Sequence, residues 1–281
     1  MTILVTGGNG QLGCALRLAS AESRHRFLFT DIEELDITSA TAIEEFFSRE
    51  NIEVVVNCAA YTAVDLAEEN EEQADLINHR AVTLLADACK RHNATLIHIS
   101  TDYIFSGNAE TPYNEESEPA PINAYGRTKL AGERAIEKSG CHYIILRTAW
   151  LYSEYGKNFV KTMRELTASR SEIRVVADQI GTPTYAGDLA EAITYIINSG
   201  QLDKCGIYNY SNEGVCSWYD FACEIVRLSG NNCKVRPCTT ADYPTKARRP
   251  QYSVLDKSKF VATFGLAIPE WRESLESLFK R

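Results

Sequence analysis

The chain has 281 residues, 44% of them apolar, and its 29 Lys and Arg against 38 Asp and Glu leave a net charge of −9. That length can bury a sizeable core as one large α/β unit or as a nucleotide domain plus a smaller lobe. The acidic balance argues against nucleic acid or a membrane surface as partner, since both attract a basic face.

The nine cysteines are odd in number and scattered, with no C-x-x-C pair. They read as the reduced thiols of a cytoplasmic enzyme, not as a disulfide framework or zinc site. No basic, then apolar, leader precedes the first strand, so no signal peptide is expected. The apolar runs are too short to span a bilayer.

In chain order, Thr2 to Thr6 reads as a first strand around Ile3-Leu4-Val5, and Gln11 to Ala21 as a helix. Phe27-Leu28-Phe29 is a second strand and Ala40 to Arg49 a second helix. Val54-Val55-Val56 is a third strand. Glu71 to His92 reads as one long helix, with Ala74, Ile77, Ala81, Leu85 and Ala88 at helical spacing. Leu96 to Ile99 is a fourth strand, Ala124 to Lys138 a helix, and Tyr143 to Leu146 a fifth strand. Strands that are continuous apolar runs are buried on both faces, which predicts a doubly wound parallel sheet.

After Trp150 the rhythm loosens. Helices are expected at Asn158 to Ala168, Tyr185 to Ile197, Trp218 to Ser229 and Trp271 to Lys280. Short strands are expected near Ile173 to Val176 and Ile207 to Asn209, and a loop at Cys238 to Gln251. The expected division is a dinucleotide-binding Rossmann domain over 1–150, with further sheet and helix segments to about 200, and a smaller, mainly substrate-binding lobe over 151–281.

Between the first strand and first helix stand Gly7, Gly10 and Gly13, at a spacing that lets the backbone turn tightly, approach a pyrophosphate and pack helix on strand. The helix N-terminus then offers free N–H groups and a positive dipole end to phosphates. The second strand ends at Asp31, which can accept from adenosine ribose hydroxyls and repels a 2′-phosphate. No Arg or Lys follows before Asp36, so charge favours NADH over NADPH. A turn-capping role for Asp31 is the rival.

Tyr125 and Lys129 lie four residues apart in a helix, on one face. A phenol, ordinarily a poor acid–base group at neutral pH, is expected to be brought toward working pH by the ammonium and by an oxidised nicotinamide. In isolation, Tyr-x-x-x-Lys is more often a solvated helix face. Here the preceding strand ends in Ser100-Thr101-Asp102-Tyr103, at the sheet edge where such folds bind ligands, and the third strand ends in the small residues Asn57-Cys58-Ala59-Ala60.

These blocks resemble the extended short-chain dehydrogenase/reductases and, within them, the dTDP-4-dehydrorhamnose reductases. The resemblance runs over nearly the whole chain. It adds Ala60-Tyr61-Thr62-Ala63-Val64-Asp65, Arg147-Thr148-Ala149-Trp150, Asp178-Gln179-Ile180-Gly181-Thr182-Pro183-Thr184 and Arg249-Pro250. It implies an NADPH- or NADH-dependent oxidoreductase that reduces dTDP-4-dehydro-β-L-rhamnose to dTDP-L-rhamnose for surface polysaccharide.

In that reading Gln11 and Leu12 contact the pyrophosphate, Asp31 the ribose, and Asp36 and Ile37 the adenine side. Ala60, Tyr61 and Thr62 line the cofactor. Thr101 and Asp102 meet the sugar, Tyr125 donates the proton, Lys129 orients the cofactor and Trp150 lines the sugar pocket. Arg249, in the basic run Lys246-Ala247-Arg248-Arg249, is the candidate cation for the diphosphate, with a plain solvated charge run as its rival.

No metal is expected, although some members dimerise through magnesium, and Glu191 and Glu276 are the carboxylates to inspect. A homodimer stays open. The rival functions are an NAD-dependent sugar-nucleotide 4-epimerase and a non-catalytic regulatory homologue. The intact Tyr125, Lys129 and Thr101 argue against the latter.

Overall fold

A computed structural model describes residues 1–280; Arg281, the last position of the expected C-terminal lobe, lies outside the described residues. At its centre is a six-stranded parallel sheet. Its first five strands in chain order are β1 (Thr2–Thr6), β2 (Arg26–Thr30), β3 (Val54–Asn57), β4 (Thr95–Thr101) and β5 (His142–Thr148). Across the sheet the order is Gly206–Asn209, β5, β4, β3, β1, β2. The chain leaves β1 toward β2 on one side and returns to β3 on the other. The crevice of this topological switch, where such sheets bind ligands, therefore opens between the carboxyl ends of β1 and β3.

Alternation along the strands sets the two layers. Ile3, Val5, Val54, Val56, Ile97 and Ile144 face one side, against the helices Gln11–Ala19, Ala186–Asn198 and Ser258–Phe264. Leu4, Val55, Leu96 and Ile145 face the other, against Ala40–Glu50, Ala81–His92 and Ile136 of the helix Ala124–Ser139. A third apolar cluster gathers Tyr152, Val160, Ile173, Val175, Phe221 and Trp271 from the later part of the chain. There Lys234–Cys238 pairs in parallel with Glu172–Val176, a strand the Pro-containing sequence concealed. The strand expected near Ile207 to Asn209 sits on the main sheet, beside β5.

The long helix expected over Glu71 to His92 is interrupted. It is α-helical over Glu71–Asp75, widens into a π-helical turn over Leu76–Arg80, and resumes over Ala81–His92. Asn78, fully buried in that turn, accepts from the Tyr61 backbone N–H at 2.8 Å. Its amide donates to the Tyr61 carbonyl at 3.1 Å and to the Thr128 hydroxyl at 3.2 Å. Such widened turns gather at functional sites. Among the described residues no helix is long and apolar enough to cross a membrane.

Candidate active site

Two connected hollows occupy the crevice. The first, about 380 Å³, is lined by Gly7, Gly10, Asp31, Leu35, Asp36, Ile37, Cys58, Ala60 and Tyr61. The second, about 600 Å³, shares Gly7, Gly10, Cys58 and Ala60 with the first, and adds Gln11, Leu12, Thr62, Thr101, Asp102, Tyr125, Lys129, Trp150, Lys157 and Trp218. The glycine turn and the Tyr125 helix thus meet at the same end of the sheet.

The helix Gln11–Ala19 starts beneath the first hollow. A Cβ at Gly13 would lie 2.4 Å from the Gly7 carbonyl oxygen, so helix and turn can pack this closely only with glycine there. Asp31 accepts from the Asn9 backbone N–H at 3.2 Å and the Ile32 N–H at 2.9 Å, which fixes the carboxylate at the rim. Asp36 accepts from the Thr38 N–H at 2.9 Å and hydroxyl at 2.7 Å, and these bonds hold its carboxyl below the usual range. Gln11 reaches the other way. Its side-chain oxygen accepts from Ser153 at 3.1 Å and from the Asn158 amide at 3.0 Å.

In the second hollow Thr101, at the end of β4, stands with the Tyr125 hydroxyl in the cleft lining and donates to Asp102 at 3.0 Å. Burial pushes the Tyr125 phenol up to about 12; the nearby Thr101 hydroxyl lowers it and the charge of Asp102 raises it further. The expected depression is therefore absent in the protein itself, because desolvation outweighs the neighbouring groups. Lys129 donates to the Ile99 carbonyl at 2.6 Å, and burial lowers its ammonium to about 8. Asp102 is 1% exposed and pushed up to about 6 by burial, with nearby Ser253 and Thr101 opposing the rise; its second carboxyl oxygen is sealed from solvent and has no hydrogen-bond partner among the described residues.

Trp150, the Asp178 to Thr184 block and Arg249 make contacts that the sequence does not announce. Trp150 has a left-handed backbone (φ 49°), and its ring stacks on Trp218 at 3.7 Å between centroids, so one face is already covered. A Cβ at Gly181 would lie 2.7 Å from the Trp150 ring, which gives the Asp178 to Thr184 block a supporting place behind the tryptophan. Asp178 accepts from the Thr240 N–H at 2.8 Å and its hydroxyl at 2.8 Å. Arg249 does not line the hollow; it forms a bidentate pair with Asp65 at 3.0 and 2.7 Å. With Lys246 on Glu69 it ties the 246–249 loop to the chain after β3.

Lys157 and Trp218 line the cleft and escaped the sequence reading, since neither stands in a spaced motif. Among the described residues no cluster of three or more His, Cys, Asp or Glu side chains could hold a metal, and Glu276 pairs with Arg227 at 3.1 Å. Behind the site lies a buried ion pair. Arg147 of β5 meets Glu133 at 2.7 Å, with side chains 3% and 1% exposed, and Ser100 donates to the same carboxylate. Glu133 stands one helical turn beyond Lys129.

The family model described as the RmlD substrate binding domain matches residues 1–281. The chain belongs to the dTDP-4-dehydrorhamnose reductase family. A dTDP-4-dehydrorhamnose reductase of Aggregatibacter actinomycetemcomitans is 41% identical, over 98% of this chain and 97% of that protein. The crystal structure of a Clostridium acetobutylicum dTDP-4-dehydrorhamnose reductase superposes with a TM-score of 0.96 at 44% identity, covering 100% of this chain and 99% of that one. A Bacillus anthracis dTDP-4-dehydrorhamnose reductase in complex with NADP gives 0.95 at 39% identity, covering 99% and 98%. The family match accounts for the block order from the glycine turn to Arg249-Pro250.

Proposed function

We propose that this protein reduces the C4 ketone of dTDP-4-dehydro-β-L-rhamnose to dTDP-L-rhamnose, a donor for surface polysaccharide. The observation that carries the reading is one cleft, continuous with the dinucleotide crevice, in which Tyr125, Thr101 and Lys129 converge. A reduced nicotinamide bound in the crevice supplies the hydride. The residues fit such a cofactor. Gly7, Gly10, Gln11, Leu12 and Gly13 form a phosphate-facing helix start, Asp31 stands at the ribose position, and Asp36 and Ile37 flank the adenine side.

Tyr125 is the proton donor. Burial keeps its phenol protonated at neutral pH, Thr101 lines the cleft with it, and the phenol gives its proton to the alkoxide that develops at C4. Lys129 keeps an ammonium beside the nicotinamide ribose. Asp102 lines the cleft on the side where the sugar binds, and Trp150 walls the sugar. Ala60, Tyr61 and Thr62 line the cofactor. Residues 1–150 mainly carry the cofactor and 151–281 mainly the substrate, with Arg249 holding the rim against which the nucleotide diphosphate lies. Both NADH and NADPH are cofactor candidates, and Asp31 favours NADH.

Incubation with dTDP-4-dehydro-β-L-rhamnose and each reduced cofactor, followed at the nicotinamide absorbance, tests this. Conversion of UDP-galactose to UDP-glucose without reduction of any 4-keto sugar would replace the reading with epimerase activity.

A further inference from the structure

Thr6, Asn57 and His98 are Cα partners across three adjacent parallel strands, Thr6 with Asn57 and Asn57 with His98. Their side chains therefore leave the sheet on one face, the face carrying the helix of Tyr125 and Lys129. Thr6 Oγ1 lies 2.6 Å from Asn57 Oδ1, the Asn57 amide nitrogen 3.0 Å from His98 Nδ1, and His98 Nε2 3.4 Å from Lys129 Nζ. His98 is 0% exposed, Thr6 and Asn57 1%, and Lys129 2%. Polar groups buried this deeply cost stability unless each is bonded. Thr6 and Asn57 are also the last residues before the two loops of the cofactor crevice. The row thus links that crevice to the lysine from below.

We propose that this row is a support that follows the charge on Lys129, and that His98 is a positioning residue whose tautomer changes with that charge. The inference rests on the reductase reading for the role of the lysine. An ammonium can only donate. Facing one, His98 Nε2 is the bare nitrogen and the ring proton sits on Nδ1. The Asn57 amide then presents its oxygen to His98 and its NH₂ to Thr6. Facing a neutral amine, Nε2 can carry the proton and donate to the nitrogen lone pair; Nδ1 then accepts from the Asn57 amide, and the Thr6 hydroxyl donates to Oδ1. The ring holds one proton in both arrangements, and the proton that leaves is the lysine's, into the cleft.

Burial, with the lysine's charge in second place, holds His98 well below its ordinary pKa, so the ring stays neutral. Burial also brings Lys129 to about 8, within reach of both arrangements near neutral pH. The other titratable groups around the lysine are Tyr125 one turn before it, Glu133 one turn after, and Cys58 from the loop after β3. Burial pushes the Cys58 thiol up, so it stays protonated. Glu133 is held by Arg147.

The direct test is ¹⁵N NMR of the full chain labelled at histidine, from about pH 6 to about pH 10, a window that spans the imidazole and lysine ranges. We expect a neutral His98 ring that changes from the Nδ1–H to the Nε2–H form with a midpoint near that of Lys129, and no change in Lys129→Met. A single tautomer throughout, or a protonated ring, overturns the proposal. Kinetics give a second readout. His98→Leu removes an acceptor from the ammonium and should move the basic limb of the kcat/KM profile to lower pH by about one unit. His98→Gln, whose amide can face both neighbours, should restore it. A fall in kcat with the limb unmoved in His98→Leu also overturns the proposal. Absence of wild-type turnover with any dTDP-4-keto sugar would instead sink the reductase reading and leave the NMR result standing.

Discussion

Glu133→Gln should destabilise the protein severely. The Glu133 carboxylate accepts from the Arg147 guanidinium at 3.0 and 2.7 Å, and both side chains are almost wholly buried. Gln keeps the shape but removes the charge, leaving a guanidinium with no counter-ion in the sheet layer. Breaking a buried pair from one side costs about 3–5 kcal/mol. An unfolding entropy of roughly 2 cal/mol/K per residue gives about 0.6 kcal/mol/K for a chain of this length, so the melting temperature should drop by about 5–8 °C. Arg147→Met alone should cost a similar amount, whereas the double variant Glu133→Gln/Arg147→Met should recover most of the loss. Urea unfolding followed by circular dichroism measures all three. Single variants within about 1 kcal/mol of wild type, or a double variant whose loss equals the sum of the singles, would refute the reasoning, because either result means the pair is not coupled.

The chemistry yields further expectations. Tyr125→Phe should lower turnover by roughly 10²–10⁴-fold while cofactor affinity, read by fluorescence titration, is largely kept. In the reduction direction kcat/KM should be highest below the Lys129 pKa of about 8 and decline above it as the ammonium is lost; Tyr125, near 12, adds no limb in that window. Asp31→Ala should shift the NADH-to-NADPH ratio of kcat/KM toward NADPH, since the carboxylate proposed to face the ribose 2′ position is removed; an unchanged ratio would put the discrimination elsewhere. Arg249→Ala frees the 246–249 loop from Asp65 and should raise KM for the sugar nucleotide more than it lowers kcat, a split that steady-state kinetics resolve.

The parallel sheet was legible because β1, β3 and β5 are continuous apolar runs, and the glycine turn and Tyr125–Lys129 pair because their spacing is local. What stayed hidden depends on register or on distant segments. Nothing near Glu133 announces Arg147, and the row from Thr6 to His98 exists only once three strands are aligned. The π-helical turn at Asn78 leaves the apolar spacing of its neighbours intact, so periodicity reads straight through it. The covered face of Trp150 depends on Trp218, 68 positions further along the sequence. The role expected of Arg249 as a free cation came from counting charges in a loop, a view in which Asp65 is invisible.

Gln11 stands at the first turn of the helix that follows the glycine turn, yet its side-chain oxygen is bonded to Ser153 and to Asn158, which lines the second hollow. Any ligand that tightens one side of this joint spares the other part of its ordering entropy. Ligand-induced tightening at this joint would link occupancy of the two hollows, and linkage is reciprocal: the factor by which cofactor improves sugar-nucleotide affinity would equal the factor by which the sugar nucleotide improves cofactor affinity. One glutamine would thus couple two ligands that it need not discriminate chemically, without fixing which of them binds first.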